Sequence, residues 1–366
     1  MIIEQQLKKT PLYEEHVRLN ARMVPFGGWE MPVQYEGIIA EYEQTRKRAA
    51  IFDISHMGEF IVHGDARETG LDEIVTQSLV DLPVKASRYG VMLNDRGGVI
   101  DDLIVFRLEE KKWFIVVNGA TTQKDSEHFR THLNDPSCFE DVSLKIGKID
   151  IQGPLSRDVL KKIVPDIKKL EYFQFDFFDL LGENVLISRT GYTGELGYEI
   201  FYPWDKTTDL WKTFLKDERV KPAGLGARDV LRLEMGYSLY GHELEEHISP
   251  LEAGLGRFVD LNKKFIGKEA LEKQKISGIK RKIIGFCSES RRSPREGHSI
   301  YSKDEQAIGQ VTSGTFSPSL NTGIGLGFVK SELAVKGEKI YFGQDKNKIS
   351  ATITEKIFYK NGSVKT

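Results

Sequence analysis

Residues 94–106 read NDRGGVIDDLIVF: a Gly-Gly turn, then a β-type run that carries two adjacent carboxylates, Asp101 and Asp102. Side chains of a strand alternate between its faces, so Val99, Asp101, Leu103 and Val105 share one side while Ile100, Asp102, Ile104 and Phe106 share the other. Neither face is otherwise polar. An ionised carboxylate in apolar surroundings is costly unless it is paired or hydrogen-bonded, and otherwise its pKa rises until it is neutral. The plain reading is an edge strand whose acids reach water at its end. The alternative is that one acid is desolvated for a purpose, and alternation says that the two need not share a job.

Working outward, Tyr89–Leu93 and Val99–Phe106 joined by NDRGG predict a hairpin, with a third strand at Trp113–Asn118. Helical spacing predicts helices over Ile38–Arg48 and Ala66–Leu79, the latter with Leu71, Ile74, Val75 and Leu79 on one stripe. Pro154 stands where a first helical turn begins, ahead of Leu155, Val159, Leu160 and Ile163. A second hairpin is signalled at 184–202, NVLISRTGYTGELGYEIFY, and helices follow at Asp205–Lys216 and Ala227–Met235. From about Ile279 the chain consists of short β-type runs separated by Gly, Ser and Pro, which predicts a separate all-β C-terminal domain of barrel or jelly-roll type. The class is therefore α+β.

At 366 residues the chain exceeds the size of one core, so two or three domains are expected. Lys+Arg 52 against Asp+Glu 54 leaves a net charge of -2, and no global field draws nucleic acid or an anionic membrane. Cys138 and Cys287 lie far apart with no Cys-x-x-Cys, which indicates neither a disulfide framework nor a Cys-rich zinc site and suits a reducing cytosol. MIIEQQLKKT has no apolar signal region, and no segment approaches the roughly 20 apolar residues that span a bilayer. A cytoplasmic location is expected.

Familiar motifs narrow the chemistry by failing. HELEEH at 242–247 places Glu246 where a zincin helix needs its second His, and His128 and His132 in HFRTH lie on a polar helix face, so no metal is expected. GIGLG at 323–327 lacks the third glycine and the following helix of a dinucleotide fingerprint, and neither a Walker A sequence nor a Gly-x-Ser-x-Gly elbow occurs. What remains are carboxylates and arginines in apolar settings, which suit a site that orients a polar organic ligand and moves a proton. Besides Asp101 and Asp102 these are Glu199, between Tyr198 and Ile200 in GYTGELGYEI, and Arg228 in GLGARDVLRLEMG. Glu195 in the glycine turn reads as solvated. A cation at a helix start works against the helix dipole, so Arg228 either serves a ligand or is a surface ion-pair arginine.

At these residues the sequence resembles the T-protein family of the glycine cleavage system, tetrahydrofolate-dependent aminomethyltransferases. The resemblance runs through TPLYEEHVRLNARMVPFGGWEMPVQY (10–35), FDISHMGEF (52–60), GGVIDDLIV (97–105), GYTGELGYEIF (191–201), GLGARDVLRLEMGYSLYGHEL (224–244), SPLEAGLG (249–256) and VTSGTFSPSLNTGIGLGFV (311–329). It implies a three-domain clover-leaf around a central folate cavity, which we divide as 1–50 with 142–262, 51–141, a basic linker at 263–278, and 279–366. It also implies transfer of an aminomethyl group from the dihydrolipoyl arm of an H-protein, yielding 5,10-methylenetetrahydrofolate, ammonia and reduced lipoyl protein. Asp102 corresponds to the family's key acid, Glu199 to its pterin-side carboxylate and Arg228 to that carboxylate's companion. Met57, Asn118 and Tyr192 match positions lining the folate cavity, and Tyr89 is a further one of that kind.

The chemistry agrees with these roles. A pterin presents N3–H and a 2-amino group side by side, and one carboxylate accepts both. The residues Lys263–Arg295 include eleven Lys or Arg and three Glu, a local basic stretch suited to the typically acidic H-protein or simply a solvated linker. Two rival activities belong to the same fold: a folate-dependent demethylase of a small methylated amine, and a folate-binding assembly factor for iron–sulfur proteins. The latter carries a Lys-Gly-Cys-containing motif, absent around both Cys138 and Cys287, and the former is often fused to a flavin domain, absent here.

Overall fold

The computed structural model describes residues 6–344 and 347–365. The run that opened the sequence reading is the strand Val99–Glu109 of a five-stranded antiparallel sheet, in the order Ser87–Leu93, Val99–Glu109, Lys112–Val117, Gly58–His63, Phe139–Asp141. Its glycine turn is fixed by close approach. Gly97 has φ +80°, and a Cβ on Gly98 would lie 1.8 Å from the Glu246 carbonyl oxygen, so only glycine lets the hairpin back onto the 245–248 segment. The Val99 N–H donates to the Ile248 carbonyl at 2.9 Å and anchors that contact.

The two faces separate as alternation requires, with one correction. Leu103 and Val105 pack with Phe129 and Leu133 beneath the helix Thr122–His132. Ile104 and Phe106 pack on the opposite side against Phe175, Leu186 and Phe201. Ile100 was expected with the second group but packs with the first. Met92 pairs with Asp101 and Leu93 with Val99, which leaves Ile100 as the extra residue of a β-bulge and breaks the alternation immediately before the two acids.

Phe175, Leu186 and Phe201 belong to a second sheet of six strands, ordered Phe175–Leu180, Glu183–Ser188, Gly197–Pro203, Ile146–Gln152, Ala49–Asp53, Val220–Pro222. The predicted second hairpin is the antiparallel pair of its second and third strands. Edge-to-face rings join the two sheets, with Phe106 5.7 Å and Phe114 5.1 Å from Phe201. Because Ala49–Asp53 pairs with Ile146–Gln152, the boundary expected at 50/51 would cut a strand; the passage from one sheet to the other falls between Asp53 and Gly58.

The C-terminal segment forms a closed six-stranded barrel, in the order Arg281–Ser288, Thr322–Lys330, Ala307–Ser317, Ser299–Tyr301, Lys339–Gln344, Asn347–Thr354. Closure removes the free edges that a lone sheet would expose. Val91, Leu93 and Val99 share a core with Ile283, Ile324, Leu326 and Phe328, so the barrel is docked on the five-stranded sheet.

Two further expectations change. Only Leu71–Ile74 of the predicted 66–79 helix is helical. The Lys263 ammonium takes the carbonyls of Val75 and Gln77 at 2.7 and 3.0 Å, together with that of Asp72, and Val75 bridges to Met92. Val75 is already extended and the Thr76 N–H donates to the Val91 carbonyl at 3.0 Å, so the backbone leaves the helical ladder to pair with the strand beside it. The stretch expected as a linker at 263–278 contains the helix Lys268–Ser277, whose Leu271 is buried.

Candidate active site

Asp101 and Asp102 leave the bulge on opposite faces and meet again at one residue, Asn118, just past the end of the neighbouring strand. Its side-chain amide donates to Asp101 Oδ1 at 2.8 Å and to Asp102 Oδ1 at 2.8 Å. Asp101 is fully buried and also accepts the Asn118 N–H at 3.0 Å and the Thr121 hydroxyl at 2.9 Å. Asp102 is half-buried, and its Oδ2 accepts the Tyr89 hydroxyl at 3.0 Å. Tyr89 is held from behind by Phe258, with ring centres 4.7 Å apart.

Every partner of the two acids in this cluster is a neutral donor. Burial, reinforced by the charge of Asp101, pushes the Asp102 carboxyl up to about 7, and burial raises Asp101 as well. The burial of Tyr89 drives its phenol well above the usual range, so it stays a donor. An acid that changes protonation near neutrality, with one side open, is equipped to take up and release a proton.

The remaining expected residues gather on the six-stranded sheet. Glu199 pairs in register with Asp150 on the adjacent strand, and alternation puts Lys148 on the same face as Asp150. Glu199 accepts the Thr190 hydroxyl at 2.6 Å and lies 3.4 Å from the Lys148 ammonium. The Lys148 ammonium in turn sits 3.7 Å from Met57 Sδ and 4.7 Å from the centre of the Phe201 ring. Arg228, expected as the companion of Glu199, has Asp150 as its ion-pair partner instead, at 2.7 Å. The reason is register: Asp150 occupies the position next to Glu199 and presents the nearer carboxylate. Burial still pushes the Asp150 carboxyl up to about 6 against the pull of Arg228.

Tyr192 connects the two groups. The Arg228 guanidinium lies 5.2 Å from the centre of its ring, and its hydroxyl donates to the Ser238 carbonyl. Burial raises its phenol, and the charge of Asp102 adds to that effect, which places the ring within electrostatic reach of the acid. Six of the seven expected residues, Met57, Tyr89, Asp102, Asn118, Tyr192 and Arg228, are half-buried; Glu199 is buried. Half-burial leaves each of the six partly accessible while packing and hydrogen bonds fix it in place.

Asp150 and Lys148 were missed. The signal was in IGKIDIQ (146–152), where Lys148, Asp150 and Gln152 form a period-two polar stripe that reads as a solvent face. All three are buried, because the face is covered. The motifs set aside earlier lie elsewhere: His128 and His132 lie on one helix with tilted rings 4.2 Å apart, and the His242 ring bonds the Thr312 carbonyl beside a cleft of about 400 Å³ that contains none of the expected residues. Among the described residues no group of three or more His, Cys, Asp or Glu is placed to hold a metal ion, and no helix is long and apolar enough to cross a membrane.

Residues 12–263 match the family model described as the GCVT N-terminal domain, and residues 281–360 match the glycine cleavage T-protein C-terminal barrel domain. The chain belongs to the glycine cleavage T-protein family. It is 45% identical over 364 residues to the aminomethyltransferase of Caldanaerobacter subterraneus subsp. tengcongensis, covering 97% of this chain and 96% of the relative. It is 43% identical over 367 residues to that of Pseudothermotoga lettingae, covering 98% and 100%. The crystal structure of glycine cleavage system aminomethyltransferase T from Bartonella henselae superposes with a TM-score of 0.92 at 31% identity, covering 98% of this chain and 99% of that one. This T-protein is accordingly an aminomethyltransferase of the glycine cleavage system, with a mixed helix and strand body and a six-stranded C-terminal barrel.

Proposed function

We propose that this T-protein transfers the methylene of an aminomethyl group, carried on the dihydrolipoyl arm of an H-protein, to tetrahydrofolate, releasing ammonia, and that Asp102 is its catalytic acid–base group. The observation that carries the reading is a pair of clusters with Tyr192 against Arg228 of the second and under the charge of Asp102 of the first: a half-buried acid poised near neutrality beside Tyr89 and Asn118, and a carboxylate–cation group at Glu199, Asp150, Lys148 and Arg228. Tetrahydrofolate supplies two amine nitrogens that share the one-carbon unit. The residues present fit such a ligand at both ends. Glu199 offers lone pairs to adjacent N–H donors of the pterin, while Met57 and Tyr192 supply apolar and ring surface beside it.

Asp102 in its ionised form accepts a proton from the reacting amines and stabilises positive charge that develops there. Tyr89 and Asn118 hold the carboxylate so that one orientation faces the ligand, which avoids reorganisation during the reaction. Arg228 neutralises Asp150 and keeps it from competing with Glu199 for the ligand's donors.

Incubation of the protein with tetrahydrofolate and aminomethylated H-protein tests the proposal, scored as ammonia and methylenetetrahydrofolate. Both products are expected in equal amounts. Turnover of free sarcosine in place of the H-protein-bound group would instead favour the demethylase.

A further inference from the structure

The acid cluster has a third member that the reading above does not use. Asp125 lies in the first turn of the helix Thr122–His132, is fully buried, and none of its carboxyl oxygens accepts a hydrogen bond from the described residues. Its backbone is fixed, with the N–H donating to the Thr121 carbonyl at 2.9 Å. A bare buried carboxylate beside another negative charge is untenable. It takes a proton instead, and a protonated carboxyl must find an acceptor. Asp101 is the carboxylate at hand: Thr121 donates its hydroxyl to Asp101 Oδ2 at 2.9 Å and takes the Asp125 N–H on its carbonyl at 2.9 Å, and the charge of Asp101 acts on Asp125.

We infer that Asp125 is a positioning residue for the transfer reaction: protonated, it donates to Asp101 and keeps that carboxylate ionised, and Asp101 in turn holds the Asn118 amide that orients Asp102. The inference rests on the assignment of Asp102 as the acid–base group. The hydrogen-bond count supports it. Asp101 receives Asn118 N–H, Asn118 amide and Thr121 hydroxyl, and an O–H from Asp125 completes a set that favours the ionised form. Burial and the Asp101 charge push the Asp125 carboxyl up to about 10, so its proton is retained throughout neutral pH. The groups facing this chain of contacts are Lys124 on the same helix, Tyr240 across from Asp101, and Tyr89 and Tyr192 around Asp102.

The test compares Asp125→Val, which removes the donor at nearly constant volume, with Asp125→Asn, whose amide can still donate. Without a donor Asp101 takes the proton itself and loses its charge, so Asp102 ionises more easily. The acid limb of the pH profile of kcat/KM for tetrahydrofolate is expected to move to lower pH in Asp125→Val by about one unit, which is about tenfold in rate on the acid side of the limb. Asp125→Asn is expected to restore the wild-type limb. A wild-type limb in Asp125→Val, with Asp102→Asn inactive, overturns this inference alone. Undiminished turnover in Asp102→Asn overturns the underlying assignment of Asp102. Should Asp125→Val not fold, the infrared difference spectrum of wild type minus Asp125→Asn decides the matter, taken above the Asp102 value of about 7 and below the Asp125 value of about 10. A protonated-carboxyl band in the difference supports the proposal, and its absence overturns it.

Discussion

Asp101 and Asp102 on the five-stranded sheet are met by an amide, a phenol and a hydroxyl, whereas Asp150 and Glu199 on the six-stranded sheet are met by Arg228 and Lys148. Neutral donors orient a carboxylate but leave its charge uncompensated, so burial decides the protonation state and brings Asp102 to about 7. Cations cancel the charge, and two acids with two bases make a group that holds a fixed pattern of acceptors and donors. The first construction suits proton movement. The second suits recognition, and the choice of partner rather than the acid itself separates the roles.

The largest expected effect breaks that comparison at its reactive end. Asp102→Asn is expected to lower kcat by about 10²–10⁴-fold, the usual contribution of a positioned acid–base group, with tetrahydrofolate affinity nearly unchanged. Asp101→Asn costs less turnover. By removing the charge that raises Asp102, it should displace the acid limb of the rate profile from about pH 7 to lower pH. Steady-state kinetics with the opposite order would exchange the roles of the two aspartates.

Arg228→Ala probes the other cluster through stability. It leaves Asp150 buried without its cation, a loss of about 3–5 kcal/mol at neutral pH and above by urea denaturation. The sign with pH follows from Asp150. Its folded pKa is already raised to about 6 and rises further without the arginine, so the folded state holds a proton that the unfolded state has lost. Stability of the variant therefore falls as pH rises through that folded pKa, and the deficit shrinks in acid. Adding Asp150→Asn should recover most of it, and a deficit independent of pH would show that the ion pair is not its source.

How legible this was depends on distance along the chain. Alternation alone assigned Asp101 and Asp102 to opposite faces, and the structure keeps them there. It could not show the bulge at Ile100, which arises from pairing with Met92 and Leu93, nor that Asn118 would bridge both acids from the next strand. Lys148 and Asp150 were hidden because a buried polar stripe and a solvated one have the same period. The 66–79 helix was over-read because its apolar stripe is real while its backbone leaves the helical ladder at Val75 to pair with the strand beside it. Local periodicity is written in neighbouring residues; hydrogen-bond partners are chosen by the fold.

Glu199→Ala sharpens the recognition half at smaller cost. Losing a charged acceptor that reads two ligand donors should weaken tetrahydrofolate binding by about 1–3 kcal/mol, roughly 5- to 150-fold by titration, with the pH limb of kcat unmoved. A shifted limb with unchanged affinity would move Glu199 from the recognition cluster to the proton-handling one.

The smallest effect concerns the surface, where the comparison of compensated and uncompensated charge applies again. The basic stretch from Lys263 to Arg295 is weaker than its composition suggests. Lys263 is engaged with backbone carbonyls and Arg281 pairs with Glu252 at 2.9 Å, while Lys268 and Lys273 lie 3.6 and 3.9 Å from Glu272 and Glu269 on their own helix. Lys264, Lys275, Lys280, Lys282, Arg291, Arg292 and Arg295 remain as exposed positive charge without an ion pair among the described residues. With the H-protein as the proposed partner, such a patch is expected to speed the encounter with an acidic surface and to contribute little once the complex has formed. The association rate is therefore expected to fall by less than about tenfold between roughly 50 and 200 mM salt, with the dissociation rate changed little. An association rate indifferent to salt would mean that these side chains only solvate the face, and would leave the H-protein to be recognised by groups nearer the two acid clusters.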